Sequence, residues 1–322
     1  MASASPHEPP QRLTRSLASL GNRAGEHVAR DADDWLGALP GLLERTLERW
    51  ELTAERVVSP GGRSSLVALV RRSDGAPAAL KLLAPDTVSP RERTERETAA
   101  LERWNGWGAV RVLGAAPEDG ALLLERLHGE VSLRSLPEAK AMLEAVSAVR
   151  RLWVEPSSSS SPASGVALET VAEHTEAEVA FLRECAPGEA APLVDEALEL
   201  RASLLEAPPE HVLLHGDFRQ GSVLGADAER APWLAVGPEP LVGERAYDLA
   251  RLVRDRLHDL VASPGAGAAT RRRINKLADS LDVDRERLRG WTLYRAVESG
   301  VRHAAGGARE DAELLLEFAG WL

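Results

Sequence analysis

The chain has 322 residues, enough for two domains of ordinary size or one large one. Hydrophobic residues make up 44% and charged residues 28%, which excludes wholesale disorder. The net charge of -11 argues against nucleic acid as a general partner, because phosphate neutralisation needs a basic face, and it leaves room for a cationic ligand.

No apolar run is long enough to cross a bilayer, and Met1–Pro10 lacks the apolar core of a signal peptide, so a cytoplasmic protein without membrane contact is expected. The single cysteine, Cys185, excludes an internal disulfide and a cysteine-based zinc cluster. The basic residues are almost all arginine. The only lysines are Lys81, Lys140 and Lys276, so each one draws notice.

The first residues, rich in Ser and Pro, read as a disordered tail, assigned to 1–14. A polar helix is expected over 12–30. From Asp34 to Trp50, the spacing of Trp35, Leu36, Leu39, Leu42, Leu43, Leu47 and Trp50 predicts an amphipathic helix. A small antiparallel sheet follows. Its strands are read at Arg56–Val58, Ser65–Arg71 and Ala78–Leu83, with Asp74-Gly75 as a hairpin turn. Ser89–Trp104 is a charged helix with Pro90 in its first turn. Two more strands are read at Val110–Leu113 and Ala121–Leu127.

After Gly129 the chain turns helical. Helices are expected at 136–152, 167–185, 190–206, 247–261, 270–281, 284–303 and 309–322, with short strands between His211 and Val236. The serine run 157–161 reads as a flexible loop. This divides the chain into a tail (1–14), a sheet-rich lobe with preceding helices (15–127) and a helical lobe (128–322).

The sharpest motif is His215-Gly216-Asp217 after the apolar run Val212-Leu213-Leu214, which delivers an aspartate from a buried strand into a loop. Gly221-Ser222-Val223-Leu224 comes next. Then follow Trp233-Leu234-Ala235-Val236, Gly237-Pro238-Glu239-Pro240 and a segment ending Tyr247-Asp248. In order and spacing these segments resemble the aminoglycoside phosphotransferases, and among them the streptomycin 6-kinase and hydroxyurea phosphotransferase group. Trp35–Pro40, Ala78–Leu82, Trp104–Leu113 and Ala121–Leu127 carry the same resemblance.

The resemblance implies an α+β, protein-kinase-like fold of two lobes, with a small antiparallel-sheet lobe, a larger helical lobe and ATP in the cleft. Phosphoryl transfer needs positioning and charge neutralisation more than covalent help. Lys81 would pair the nucleotide phosphates, and Glu97 would orient it. Gly61, Gly62 and Ser64 lie where a phosphate-covering loop is expected, and Glu125–Gly129 where a hinge would meet the adenine. Asp217 would orient the acceptor hydroxyl or take its proton. Asp248 would brace the loop that carries it, and His215 would pack there.

Two positions depart from the family pattern. Ser222 replaces an asparagine that serves as a magnesium ligand, and Gly237 replaces the principal aspartate ligand. Magnesium prefers carboxylate oxygens, so this makes Mg2+ doubtful while ATP stays open. Replacement ligands are sought in Ser222 itself and in Glu239, with Asp227 and Glu244 behind them.

The first reading is therefore a pseudo-phosphotransferase, impaired in transfer but retaining nucleotide or small-molecule binding. A second is a working kinase for a hydroxyl of a cationic small molecule, with Glu298, Glu310, Asp311 and Glu313 lining its pocket. A third is a kinase-like partner subunit, or a metal-independent enzyme, in natural-product or peptide maturation. That reading implies a protein or peptide partner.

Overall fold

The computed structural model describes residues 8–156, 165–227 and 230–322. The chain divides into two compact units, one of residues 1–106 with 110–127 and one of residues 107–109 with 128–322. The serine run lies outside the described residues.

The first unit opens with helices α1 (Gln11–Ala18), α2 (Leu20–Ala24) and α3 (Glu26–Arg49). The expected tail over 1–14 is corrected here. Helix α1 begins at Gln11, and Leu13, Leu17 and Leu20 are buried beside Leu39, Leu43, Leu66 and Leu80. Three leucines at helical spacing outweigh the Pro- and Ser-rich composition, because burying each stabilises the unit by roughly 1.5–3 kcal/mol. Residues 1–7 lie outside the description. The helix expected over 12–30 breaks at Gly25, whose φ of +91° suits glycine.

A five-stranded antiparallel sheet follows, in the order β1 (Thr53–Val57), β2 (Ser65–Arg71), β3 (Pro77–Leu83), β5 (Ala121–Glu125), β4 (Val112–Ala116). The turn between β2 and β3 is closed by the Asp74 carboxylate, which accepts from the Ala76 amide at 2.9 Å, and by Gly75 at φ +81°. Strand β3 is central, with Lys81 opposite Val67 on one side and Leu122 on the other. Helix α4 (Pro90–Trp104) is capped by Ser89, whose hydroxyl accepts from the Glu92 amide. Its buried face runs Thr94, Glu97, Leu101, Trp104 at three- and four-residue spacing.

The second unit contains β6 (His128–Ser132), α5 (Glu138–Val149), α6 (Val171–Cys185), α7 (Ala191–Glu206) and β7 (Val212–Leu214). After these come β8 (Val223–Gly225), β9 (Trp233–Ala235), β10 (Leu241–Gly243), α8 (Arg245–Val253) and α9 (Leu257–Val261). Helices α10 (Ala266–Leu281), α11 (Arg285–Ala305) and α12 (Arg309–Ala319) complete it. Strands β7 and β10 pair antiparallel, and β6, β8 and β9 form a second small sheet. Helix α11 is buried along most of its length, and its Trp291 packs edge-on against Tyr247 and Tyr294. The single helix expected over 247–261 is two helices. The chain breaks at Arg256, which takes a φ of +56° while its guanidinium bonds Gln220 and the carbonyl of Leu136.

Candidate functional site

In the first unit, Lys81 and Glu97 meet. The lysine Nζ lies 2.7 Å and 2.6 Å from the two Glu97 carboxylate oxygens, and both residues are buried. Strand β3 aims the lysine and the buried face of α4 aims the glutamate, so the ammonium is held in one direction. Gly61 has a φ of +70°, and a β-carbon there would lie 2.9 Å from the Val58 carbonyl and 3.0 Å from Pro10. The Gly61-Gly62 turn is thus seated on the start of α1. Ser64 begins the return into β2, and its carbonyl accepts from the Ala84 amide at 3.0 Å.

In the second unit, β7 ends at Leu214 and the next three residues are fixed by buried bonds. The Asp248 carboxylate, on the first turn of α8 and fully buried, accepts from the His215 amide at 3.0 Å and the Gly216 amide at 2.9 Å. Two charge-assisted bonds to consecutive amides set the loop's direction. Burial raises the Asp248 pKa against the favourable field of His215 and these amides. The Arg295 guanidinium, stacked 4.4 Å from the Tyr247 ring centroid, donates to the Gly216 carbonyl at 2.8 Å. Gly216 has no room for a side chain, since a β-carbon would sit 1.8 Å from the Glu239 carbonyl oxygen. His215 is buried, its Nε2 lies 3.2 Å from the Val236 carbonyl, and burial pushes its pKa down.

Asp217 leaves this loop between two arginines. Arg219 Nε is 3.0 Å from Oδ2, and Arg251 Nη2 is 2.5 Å from Oδ1. Burial alone would raise the carboxyl pKa. Arg251, Arg219 and Arg295 overcome it and hold Asp217 well below the ordinary carboxylate range. Proton acceptance by this carboxylate is therefore weak, while orientation of a donor remains open to it.

The loop also brings together the positions considered for magnesium. The Val236 amide donates to the Ser222 carbonyl at 2.8 Å, and the Glu239 amide donates to the His215 carbonyl at 2.9 Å. Ser222, buried, donates its hydroxyl to the Arg219 carbonyl at 2.9 Å and accepts from the Arg219 amide at 3.1 Å. Gly237 has a φ of +65°, with open space where a β-carbon would stand. Glu239 is exposed.

The other candidates are committed elsewhere. Glu244 is buried against Arg287 and the Trp291 indole, each at 2.6 Å, and Asp227 sits 3.4 Å from His128 on the surface. Among the described residues, no three His, Cys, Asp or Glu gather as a metal site. These residues do not fit a magnesium ion: position 237 has no side chain, the Ser222 hydroxyl is spent on its own turn, the Glu239 side chain stands in solvent and the Asp217 carboxylate is held by arginines.

The acidic acceptor pocket expected from Glu298, Glu310, Asp311 and Glu313 does not form as a group. Glu298 is buried between Arg302 (3.1 Å) and Arg295 (3.9 Å), with its pKa lowered to about 2 because these cations outweigh burial. Glu310 and Glu313 are exposed, and Glu313 pairs with Arg309. Arg219, Arg251, Arg254 and Arg295, whose charges bear on Asp217, were not singled out from the sequence. In a chain whose cations are nearly all arginine, their identity carries no signal. Their spacing at 251, 254 and 295 gains meaning only when α8 packs on α11.

No described helix is long and apolar enough to cross a membrane. The sequence model of the aminoglycoside/hydroxyurea antibiotic resistance kinases matches residues 49–307. A streptomycin 6-kinase of Streptomyces glaucescens is 36% identical over 268 residues, 83% of each chain. A hydroxyurea phosphotransferase of Kitasatospora aureofaciens is 37% identical over 96% of this chain and 82% of its own. Among solved structures, aminoglycoside phosphotransferase APH(4)-Ia aligns with a TM-score of 0.59 at 18% identity, over 87% of this chain and 97% of its own. Amicoumacin kinase hAmiN, solved with AMP-PNP, Ca2+ and Ami, aligns at 0.59 and 12%, over 87% and 92%. Those likenesses show the α+β, protein-kinase-like fold expected from the motifs. The family model's match over most of the chain, with relatives 36% and 37% identical, shows that the chain belongs to the aminoglycoside/hydroxyurea antibiotic resistance kinase family.

Proposed function

We propose that this protein is a nucleotide-binding phosphotransferase homologue in which metal-assisted transfer to a hydroxyl of a small molecule is strongly impaired. Lys81, held by Glu97, is the group assigned to the nucleotide phosphates, and the Gly61-Gly62 turn with Ser64 is assigned to cover them. Asp217 is assigned to the acceptor hydroxyl. The observation that carries the reading is the state of Asp217, clamped by Arg219 and Arg251, where Gly237 and Ser222 replace the family's metal ligands. Loss of a single preorganised electrostatic contact costs about a hundred- to a thousandfold in rate, and here the carboxylate, the amide ligand and the proton acceptor are all compromised.

Calorimetric titration of ATP with and without Mg2+, followed by a phosphorylation assay on streptomycin, tests this. Saturable ATP binding that ignores Mg2+, with turnover several powers of ten below the roughly 1–100 per second of working kinases, is the expected result. Binding tightened tenfold or more by Mg2+, together with rapid phosphorylation of streptomycin, overturns it. The competing reading, an active kinase for a cationic hydroxyl compound, draws on the relatives named streptomycin 6-kinase and hydroxyurea phosphotransferase.

A further inference from the structure

By the family resemblance, segment 125–129 is where a hinge would meet the adenine, and its start, at the end of β5, is fastened from two sides. On one side the Glu125 amide donates to the Arg111 carbonyl at 3.0 Å, and the Glu125 carboxylate accepts from the Arg111 amide at 2.8 Å. On the other side the Arg126 guanidinium reaches three strands. Its Nη1 lies 2.6 Å from the Glu55 carboxylate on β1, its Nη2 donates to the Val70 carbonyl on β2 at 2.6 Å, and its Nε donates to the Ala78 carbonyl on β3 at 3.2 Å. Val70 and Ala78 face each other across the β2–β3 pair. All of these bonds lie within the first unit.

Strand β1 is irregular at the point of contact. Ala54 stands opposite Val70 and Arg56 opposite Leu69, so Glu55 is the extra residue of a β-bulge. A bulge breaks the alternation of a strand and re-aims the side chain there. The Glu55 carboxylate sits between two arginines, 2.6 Å from Arg126 Nη1 and 2.6 Å from Arg71 Nε. A part-exposed ion pair by itself adds little to stability. The effect of this one is geometric. A planar guanidinium carries its donors in fixed directions, so acceptors on three strands leave it a single orientation. A lysine would offer a point charge without that fork.

We propose that Arg126 is a positioning residue for the adenine base of the nucleotide. Its guanidinium, tied to Glu55 and to the carbonyls of Val70 and Ala78, holds the main chain at 125–127 in one place against the sheet, and the base docks on that main chain. This role rests on the nucleotide-binding reading above and extends it from the phosphates to the base. A segment that is already ordered spares the ligand the entropic cost of ordering it. Loss of the tie is therefore felt by the part of the nucleotide that meets 125–127, and not by the triphosphate, which is assigned to Lys81.

Isothermal titration with ATP, adenosine and inorganic tripolyphosphate tests this. Wild type is compared with Arg126→Gln, Arg126→Lys, Glu55→Gln and Arg72→Gln, an exposed control at the β2–β3 turn. Wild type is expected to bind ATP and adenosine saturably. Arg126→Gln is expected to weaken both by about tenfold, the scale of one lost charge-assisted contact, with tripolyphosphate affinity unchanged. Because adenosine has no phosphates, its weakening places the effect at the base. Arg126→Lys is expected to lose nearly as much, since the fork is gone, and Glu55→Gln about threefold. Arg72→Gln should change nothing. Thermal denaturation of each variant establishes folding. Should Arg126→Gln fail to fold, Glu55→Gln, which leaves the arginine in place, carries the comparison. A lowered melting temperature with ATP and adenosine affinities intact would make the tie structural only and overturn the proposal. Equal weakening of ATP and tripolyphosphate would overturn it too, since the whole unit would then have loosened. Failure of wild type to bind either ATP or adenosine would instead overturn the nucleotide-binding reading itself, and this role with it.

Discussion

His215 illustrates how burial decides the role of a residue whose motif suggests chemistry. Its imidazole is fully buried at the mouth of β7, and its pKa lies below the ordinary value of about 6.5 because burial outweighs the fields of Asp248 and Asp217. The unfolded chain takes up a proton near pH 6.5, while the folded chain does so only at lower pH. In that window the unfolded state binds more protons, so stability rises with pH and is lost as pH falls. His215→Gln is expected to flatten the decline in melting temperature between pH 7 and pH 5.5. An equally steep decline in the variant would exclude His215 as its source. A second residue-scale test concerns positions 222 and 237. Gly237 has open space and a φ of +65° that aspartate tolerates better than most residues. The double variant Gly237→Asp, Ser222→Asn is expected to raise Mg2+-dependent ATP turnover by the order of a hundredfold. No increase would mean that the Asp217 clamp alone limits the site.

At the scale of the element, the loop after β7 is held from several sides. Asp248 on α8, Arg295 on α11 and the chain before β10 all converge on it. Gly216 and Gly237 both have positive φ, yet they differ in surroundings. A methyl at 216 meets a backbone oxygen, whereas one at 237 meets nothing within 4 Å. Gly216→Ala should therefore cost roughly 3 kcal/mol or more through overpacking and backbone strain. Gly237→Ala should cost only the roughly 1–2 kcal/mol of a left-handed alanine. Urea unfolding of the two variants checks the ordering, and equal losses would contradict it. The hairpin β2–β3 was legible because Asp74-Gly75 imposes its turn locally. The break at Arg256 was not, since it depends on carbonyls of residues about 120 positions away.

Across the whole molecule, the two units differ in how far local pattern reaches. The strands of the five-stranded sheet were legible from apolar runs and turn residues, with β1 and β4 lying a few residues from their expected bounds, and Lys81 could be placed on a strand from its position in such a run. Glu97 could be singled out from its neighbours Glu95 and Glu102 only by resemblance to the family, and in the structure it is Glu97 that lies on the buried face of α4. In the second unit the chemistry is assembled from β7, α8 and α11, which lie far apart in the chain. The acidic group expected from Glu298, Glu310, Asp311 and Glu313 failed for this reason. The cationic acceptor implied by the resemblance suggested them as acidic residues of the last helices, while packing buried Glu298 among arginines and left Glu310 and Glu313 in solvent.

The sequence by itself determined the family and the α+β kinase-like fold, and it placed Ser222 and Gly237 where the resemblance implies metal ligands, because each of these is a matter of residue identity at a motif position. Only the tertiary structure decided the state of Asp217. Its carboxylate is ionised and clamped because α8 and the loop bring Arg251 and Arg219 within bonding distance. Arg254, just after α8, is buried and donates to the Ser299 hydroxyl because α11 packs there. Charge pairing across elements is a property of distance, and distance between remote residues is set by packing.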